Sequence, residues 1–175
     1  MRLETSRLVI RSYEPADAAG MLRVFGDPEV RRYLPPSPEP TLERMRASVE
    51  RRMVIERERG FGLWAVERKD TGEFIGDCGL YPVEGKGPDI EIAYHYAPDA
   101  WNHGYGTEAA IACLGQGFGP IGLERVIAIC FPDNIGSWRV MEKVGMRYEG
   151  QTSAYYGLTD LKKYVADRST WRTPA

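Results

Sequence analysis

The chain has 175 residues, of which 43% are hydrophobic and 27% are charged, and its formal net charge is −2. This length and balance predict a single globular domain, residues 1–175, and exclude a disordered or fibrous chain. Acidic and basic residues are interspersed, which argues against an extended nucleic-acid backbone as a partner.

Charges recur every few residues at the N-terminus, and neither a signal-peptide core nor a membrane-spanning run is present in the sequence. We therefore expect a cytoplasmic protein that does not enter a membrane. Cys78, Cys113 and Cys130 are far apart and form no C-x-x-C pair, so we interpret them as reduced core residues. His95 and His103 are the two histidines and lack neighbouring thiols, which predicts no metal site.

The first part of the chain alternates strand and helix patterns. RLVIRSY predicts a short strand, residues 15–25 predict a helix, and Asp27 before Pro28 is typical of a further helix start. After the proline-rich LPPSPEP, Thr41 is the expected cap of a long amphipathic helix.

That long helix carries many arginines, which raises the alternative of a nucleic-acid surface. Glutamates share the segment, and the pairs Arg46/Glu50 and Arg52/Glu56 are each spaced four residues apart. We therefore expect a solvated, salt-bridged face.

The remaining patterns predict a sheet crossed by two more helices. FGLWAVER and FIGDCGLY flank the turn signal KDTGE as a hairpin, and IEIAYHY predicts a third strand. A helix from Gly106 to about Phe118, the apolar strand LERVIAICF, and a helix capped by Asn134 and ended by Gly145 follow. MRYEGQTSAYY and LKKYVAD predict two further strands. The order predicts an α+β domain with a mixed sheet of about seven strands and about four helices.

WNHGYGTEAA places two glycines directly before an alanine-rich helix. The first helical turn has unpaired N–H groups, and glycine allows close approach of the backbone, so this turn suits an anion. Alternatively, Gly104 and Gly106 only shape a tight connection. A second helix N-terminus at Asn134 on a neighbouring connection favours a site. GYGTEA also matches the dinucleotide pattern G-x-G-x-x-A, but the intervening APDAWNH argues against a dinucleotide-dependent oxidoreductase.

W-N-H-G-Y-G-T-E-A followed by N-I-G-S-W-R-V-M-E-K-V-G-M resembles the pyrophosphate loop and signature helix of the GNAT superfamily of acetyl-CoA-dependent N-acetyltransferases. SRLVIRSYEPAD and EKVGMRYEG are similar to the branch of ribosomal-protein N-terminal (alanine/serine) acetyltransferases. The resemblance spans essentially the whole chain. It implies a GNAT-like, mostly antiparallel central sheet and acetyl-CoA as the acetyl donor.

The resemblance also implies how CoA binds. The backbone of the turn would hold the pyrophosphate. The strand before it, which is bulged in the family, would form hydrogen bonds with the pantetheine amides, and one of its N–H groups would point at the acetyl oxygen. Trp101 stands where the family usually has glutamine or arginine. The implied cofactor-binding residues are Tyr94, His95, Tyr96, Asn102, His103, Gly104, Tyr105, Gly106, Thr107, Asn134, Ser137 and Lys143.

Two residues are candidates for catalysis. Many relatives carry a tyrosine acid seven residues after the asparagine, but Met141 stands there, so Ser137 is the candidate proton donor. Asn134 and Ser137 also fit plain capping roles. Glu91, on the strand that leads to the acetyl group, is the candidate base, acting directly or through water. A surface or cross-strand salt bridge is its alternative role.

The acceptor pocket of the family uses the early helices, the hairpin and the late strands. Candidate lining residues there, each of which also fits a plain core position, are Tyr33, Trp64, Tyr81, Tyr155 and Tyr156. The branch favours a protein or peptide N-terminal α-amine as acceptor. A small-molecule amine such as an aminoglycoside or polyamine, and a catalytically silent acetyl-CoA-binding module, are the alternatives. A homodimer is suggested by the family resemblance alone.

Overall fold

The structure of the protein, a computed structural model, describes residues 1–174. Its strands are β1 Arg2–Glu4, β2 Leu8–Arg11, β3 Leu63–Arg68, β4 Phe74–Pro82, β5 Ile90–Tyr96, β6 Arg125–Cys130, β7 Arg147–Thr152 and β8 Leu161–Asp167. Its α-helices are α1 Ala18–Gly26, α2 Pro28–Arg31, α3 Leu42–Arg59, α4 Tyr105–Phe118 and α5 Ile135–Lys143. Within residues 1–174, no helix combines the length and apolar character that crossing a bilayer requires.

All eight strands form one open sheet in the order β1-β2-β3-β4-β5-β6-β8-β7. Neighbouring strands are antiparallel except β5 and β6, which are parallel. That parallel pair places only Glu91 opposite Ile127. Since β5 continues to Tyr96 and β6 to Cys130 without further pairing, the sheet opens between them. The mixed, mostly antiparallel α+β fold is thus confirmed.

Helices cover both faces of this sheet. On one, the α4 face, Ala109, Cys113 and Leu114 of α4 pack in the main core. On the other, the α3 face, Val49 of α3 packs on Leu63 of the sheet. Because side chains alternate along a strand, β5 presents different residues to each face. Ile92, Tyr94 and Tyr96 belong to the α4 face, and Glu91, Ala93 and His95 to the α3 face.

Most predicted elements are confirmed, including the helix start at Asp27 and Pro28, and one short strand, β1, was not predicted. β1 is three residues long, too short for an alternating pattern, and it forms one edge of the sheet by pairing with β2. α2 is a single turn capped by Asp27, whose side chain accepts from the Glu29 N–H. Thr41 caps α3 as predicted, accepting from the Arg44 N–H at 3.2 Å. The three cysteines are free and buried.

The prediction that Arg46 pairs with Glu50 and Arg52 with Glu56 on a salt-bridged face of α3 is wrong. Arg52 donates to the buried Asp77 at 3.3 Å, and Glu56 accepts from the Trp64 indole at 2.9 Å. Both side chains turn toward the sheet, where buried partners replace the helical i,i+4 contact. Arg46 and Glu50, which are exposed, form no ion pair with each other.

Candidate active site

A cleft of about 1210 Å³ lies where β5 and β6 separate. We call its two sides the donor half and the acceptor half. The donor half consists of Tyr94, Tyr96, residues 101–102 and 104–107, and the cleft-facing residues of α5. The acceptor half consists of the cleft-facing residues of α3, residues 33–38, Pro40, Tyr81, Glu91, His95 and Tyr156.

The turn before α4 leaves its helix N-terminus open. Gly104 is the N-cap with φ +80°, a left-handed conformation that favours glycine. No side chain of residues 1–174 caps this helix. A Cβ at Gly106 would lie 3.4 Å from the Tyr96 ring and 3.6 Å from Val140. The turn therefore offers unoccupied first-turn N–H groups at a helix end that packs closely on Tyr96 and Val140, and such free N–H groups suit a diphosphate.

A contact from the start of the chain holds this turn in place, and the sequence analysis missed it. The Glu108 carboxylate accepts from the Thr5 hydroxyl at 2.6 Å and from Arg7 Nε at 2.7 Å. Arg7 also donates to the carbonyl of His103 at 2.9 Å. Although burial opposes it, these hydrogen bonds lower the pKa of Glu108. Segments a hundred residues apart carry no local signal for such a contact.

The first turn of α5 contacts β5 directly. Asn134 Oδ1 accepts from the Ser137 N–H at 3.2 Å, so Asn134 is the N-cap as expected. The Tyr94 hydroxyl donates to the Ser137 carbonyl at 2.9 Å and lies 3.2 Å from Ser137 Oγ. Burial raises the pKa of Tyr94, so this hydroxyl stays protonated at neutral pH. Sequence reasoning considered only the backbone of Tyr94 and missed its side chain.

Glu91 lies at the point where β5 and β6 part. Its side chain is 6% exposed and accepts a hydrogen bond from the Tyr156 hydroxyl. Burial raises the pKa of Glu91 to about 7, while the Tyr156 hydrogen bond partly offsets it. It forms no ion pair with any residue of 1–174, so the alternative of a salt bridge is wrong. A carboxyl of this pKa can accept a proton near neutral pH.

His95 belongs to a buried network on the α3 face. Its Nδ1 lies 2.7 Å from Asp77, which is completely buried and also bonds the Tyr13 hydroxyl at 2.9 Å. Burial opposes ionisation of Asp77, yet His95, Arg52 and Tyr13 together hold its pKa below the ordinary value. The His95 side chain therefore faces the acceptor half.

The remaining predicted CoA residues are divided by the structure. Residues that line the cleft are Tyr94, His95, Tyr96, Asn102, Gly104, Tyr105, Gly106, Thr107, Asn134, Ser137 and Lys143. His103 does not, because its ring stacks on Tyr105 with centroids 5.6 Å apart. The expected bulge is also absent, since β5 pairs with β4 without a register shift from Ile90 to Tyr96. No grouping of His, Cys, Asp or Glu suited to a metal occurs within residues 1–174.

Three of the five predicted acceptor residues reach the cleft, namely Tyr33, Tyr81 and Tyr156. Trp64 does not, because it is completely buried in the main core and donates to Glu56. Tyr155 also lies outside the cleft, where its hydroxyl donates to Asp89 at 2.8 Å. Trp64 and Tyr155 were misplaced for the same reason. The alternation of side chains along a strand and the path of a loop decide which aromatic rings face the cleft, and the presence of an aromatic residue in the sequence reveals neither.

Residues 7–147 match the family model described as Acetyltransferase (GNAT) domain. The uncharacterized N-acetyltransferase YoaA of Bacillus subtilis is 31% identical over 87% of this chain and 86% of its own length. A crystal structure of a GNAT-family acetyltransferase from Bacillus anthracis has a TM-score of 0.82 and 30% identity, covering 97% of this chain and 99% of that one. Ribosomal-protein-S5-alanine acetyltransferase from Vibrio fischeri shares the fold, with a TM-score of 0.77 and 17% identity over 98% of this chain and 99% of that one.

Proposed function

This chain belongs to the GNAT family of acetyl-CoA-dependent N-acetyltransferases, and from that premise we propose that it acetylates the N-terminal α-amine of a protein or peptide. The observation that carries the proposal is the position of Glu91. It is a buried carboxyl with a pKa of about 7, placed where the donor and acceptor halves meet.

In this proposal the donor half binds acetyl-CoA. The open N-terminus of α4 receives the diphosphate, because free N–H groups and the positive helix end both favour an anion. Asn134 and Lys143 add polar and positive groups at the same side of the cleft. The backbone of β5 near Tyr94 lies along the thioester arm and supplies a hydrogen bond to the acetyl oxygen.

The acceptor amine reacts by direct attack. Its nitrogen bonds to the acetyl carbon, giving a tetrahedral intermediate, and the carbon–sulfur bond then breaks. Glu91 takes the proton that the nitrogen loses. An α-amine of pKa near 8 costs about 1.4 kcal/mol to deprotonate at pH 7, whereas a lysine amine costs about 4.6 kcal/mol. A carboxyl with a pKa of about 7 is adequate for the first and poor for the second.

Ser137 protonates the departing thiolate. Its hydroxyl lines the cleft in the donor half, and the neighbouring Tyr94 hydroxyl, kept protonated by burial, lies 3.2 Å away. Because the Tyr94 hydroxyl donates to the Ser137 carbonyl, it can accept a hydrogen bond from Ser137 Oγ and so hold the serine side chain in place. Ser137 lines the open cleft and regains its proton from solvent. In this proposal Ser137 does the work for which many relatives use a tyrosine at the position of Met141.

Two lines support a peptide acceptor over a small molecule. The sequence resembles the ribosomal-protein branch, and the Vibrio fischeri protein of the same fold is named as a ribosomal-protein-alanine acetyltransferase. A polyamine or aminoglycoside would instead require removal of protons from strongly basic amines in a cleft with few acidic side chains.

Thiol release from acetyl-CoA, measured in parallel with several kinds of amine, tests the proposal. The panel holds peptides with different N-termini, their N-acetylated forms as controls, polyamines and aminoglycosides. We expect turnover with free α-amines and none with the blocked peptides. Faster turnover of a polyamine or aminoglycoside would refute the α-amine acceptor. CoA binding without turnover of any amine would indicate a silent binding module.

A further inference from the structure

We infer that the acceptor carries an anionic group, a carboxylate or a phosphate, close to the amine that is acetylated, and that Arg44 and Arg51 bind it. This inference rests on the proposed function, because it assumes that the acceptor half holds an amine. It adds the chemical class of that acceptor.

The two arginines lie on one side of α3. They are seven residues apart, close to two helical turns, so their side chains project from the same face of the helix. Both line the acceptor half, together with Ser48, which lies between them, and the proline-rich residues 35–38 and Pro40. The arrangement is a strip of positive charge along one wall of the cleft.

Neither arginine is neutralised by a carboxylate within residues 1–174. Arg44 donates to the backbone carbonyl of Glu39 at 2.7 Å, and Arg51 has no hydrogen-bond or salt-bridge partner there. Nearby arginines differ. Arg31 pairs with the Glu39 carboxylate and Arg52 with Asp77. Among the described residues, Arg46, Arg57 and Arg59 of α3 also lack a carboxylate partner, but they do not line the cleft. The unpaired charge of α3 that faces the cleft therefore belongs to Arg44 and Arg51.

The phosphates of CoA do not account for this charge. The open N-terminus of α4 lies on the α4 face, and the cleft-facing cations of α5, Arg139 and Lys143, lie in the donor half with it. Arg44 and Arg51 stand on the α3 face, across the sheet from that end. Their ligand is thus a group on the acceptor.

Acidic side chains are sparse along the cleft walls. Among residues 1–174 they are Glu91 and Asp133, and Asp133 lies 3.5 Å from Arg32. The acceptor half therefore has one carboxyl, Glu91, for an amine and two guanidinium groups for an anion. Such a charge distribution favours a zwitterionic acceptor and repels a polycation.

Matched peptides test the inference. One N-terminal residue is followed by Asp-Asp, Asn-Asn, Lys-Lys or phosphoserine in C-terminally amidated peptides. Turnover and equilibrium binding to the CoA-loaded protein are measured for wild type, Arg44→Gln, Arg51→Gln and the double variant. Arg46→Gln is the control, because Arg46 is exposed on the same helix and does not line the cleft.

We expect the acidic or phosphorylated peptide to bind about tenfold more tightly than the Asn peptide. Arg51→Gln and the double variant should remove most of that preference through KM, while Arg46→Gln and the affinity for CoA stay unchanged. Carboxylate and phosphate are distinguished by which peptide loses more affinity. Equal binding of the Asp and Asn peptides, or an equal loss in Arg46→Gln, would overturn the inference. Selective binding without turnover would instead refute the proposed function alone.

Discussion

The two halves of the cleft are built by different means. The anion site of the donor half is built from main chain, with one uncapped helix N-terminus and a left-handed glycine within a continuous stretch of sequence. The acceptor half is assembled from side chains of α3, β4, β5 and the residues before β8. A backbone site tolerates many side chains but few conformations. A site built from side chains depends on the identity of those side chains and tolerates more variation in backbone conformation. The two halves should therefore respond differently to substitution.

The largest expected effect is on proton return to the thiolate in the donor half. Ser137→Ala should lower kcat by about a hundredfold, within the range of general acid catalysis, because the departing thiolate then lacks its proton donor. The CoA dissociation constant should change little, since the Asn134 cap uses the backbone N–H of residue 137. Turnover and CoA titration are measured on the same preparation. An unchanged kcat would remove Ser137 from the mechanism.

The next effect tests the backbone site itself. Gly106→Leu adds bulk 3.4 Å from the Tyr96 ring, an overpacking that costs ~1–3 kcal/mol of folding stability. Since the displaced turn then presents its N–H groups poorly to the diphosphate, we expect the CoA dissociation constant to rise about thirtyfold, or about 2 kcal/mol of binding free energy. Gly115→Leu is the matched control, because a Cβ there meets nothing within 4 Å on the same helix. Calorimetric titration with CoA compares them. Equal affinities in both variants would contradict a diphosphate site at this turn.

A smaller effect is expected in the acceptor half, from Glu91→Gln. Wild-type kcat/KM should rise with pH through about 7 as the carboxyl ionises and again near 8 as the α-amine loses its proton. The variant should keep only the rise near ~8. At pH 8 the loss should be about tenfold, because an α-amine needs little help from a base. Rate profiles from pH 5.5 to 9 provide the measurement. An identical profile in the variant would eliminate Glu91 as the base.

The same substitution has a predicted effect on stability. The pKa of Glu91 is raised from 4.5 to about 7 in the folded chain, so folding favours the protonated form. The stabilising contribution is complete below pH 4.5 and is lost as the pH rises through about 7, by at most about 3 kcal/mol. The Tm of Glu91→Gln relative to wild type should therefore increase between pH 5 and 8. A constant difference would contradict the raised pKa.

The smallest effect on activity is expected outside both halves. Trp64→Phe removes a buried indole and its hydrogen bond to Glu56, and should lower the unfolding free energy by about 1–3 kcal/mol. Acceptor KM should stay the same. Tyr81→Phe, within the acceptor half, is the comparison and should alter KM more than stability. Denaturant unfolding and steady-state kinetics separate the two. A raised acceptor KM in Trp64→Phe would indicate that Trp64 contributes to the acceptor pocket after all.

The secondary structure and the glycine turn of the donor half could be predicted from local sequence. Thr41 and Asn134 cap their helices as predicted, and the glycine turn precedes α4 at the expected place. These features depend on neighbours within a few residues, where capping and backbone conformation are strongly determined. The hydrogen bonds from Thr5 and Arg7 to Glu108 join residues about a hundred positions apart, so no local sequence pattern predicts them.

The sequence by itself determined the strand and helix order, the family resemblance, and the glycine turn at the N-terminus of α4. Only the tertiary structure decided that Glu91 is buried at the parting of two strands, that Arg52 turns inward while Arg51 remains free, and that Trp64 lies in the core. The physical reason is that burial and charge pairing depend on which distant segments meet. These long-range contacts set the pKa of Glu91 and the electrostatics of the acceptor half. Helix ends and glycine dihedrals, by contrast, are properties of a few consecutive residues.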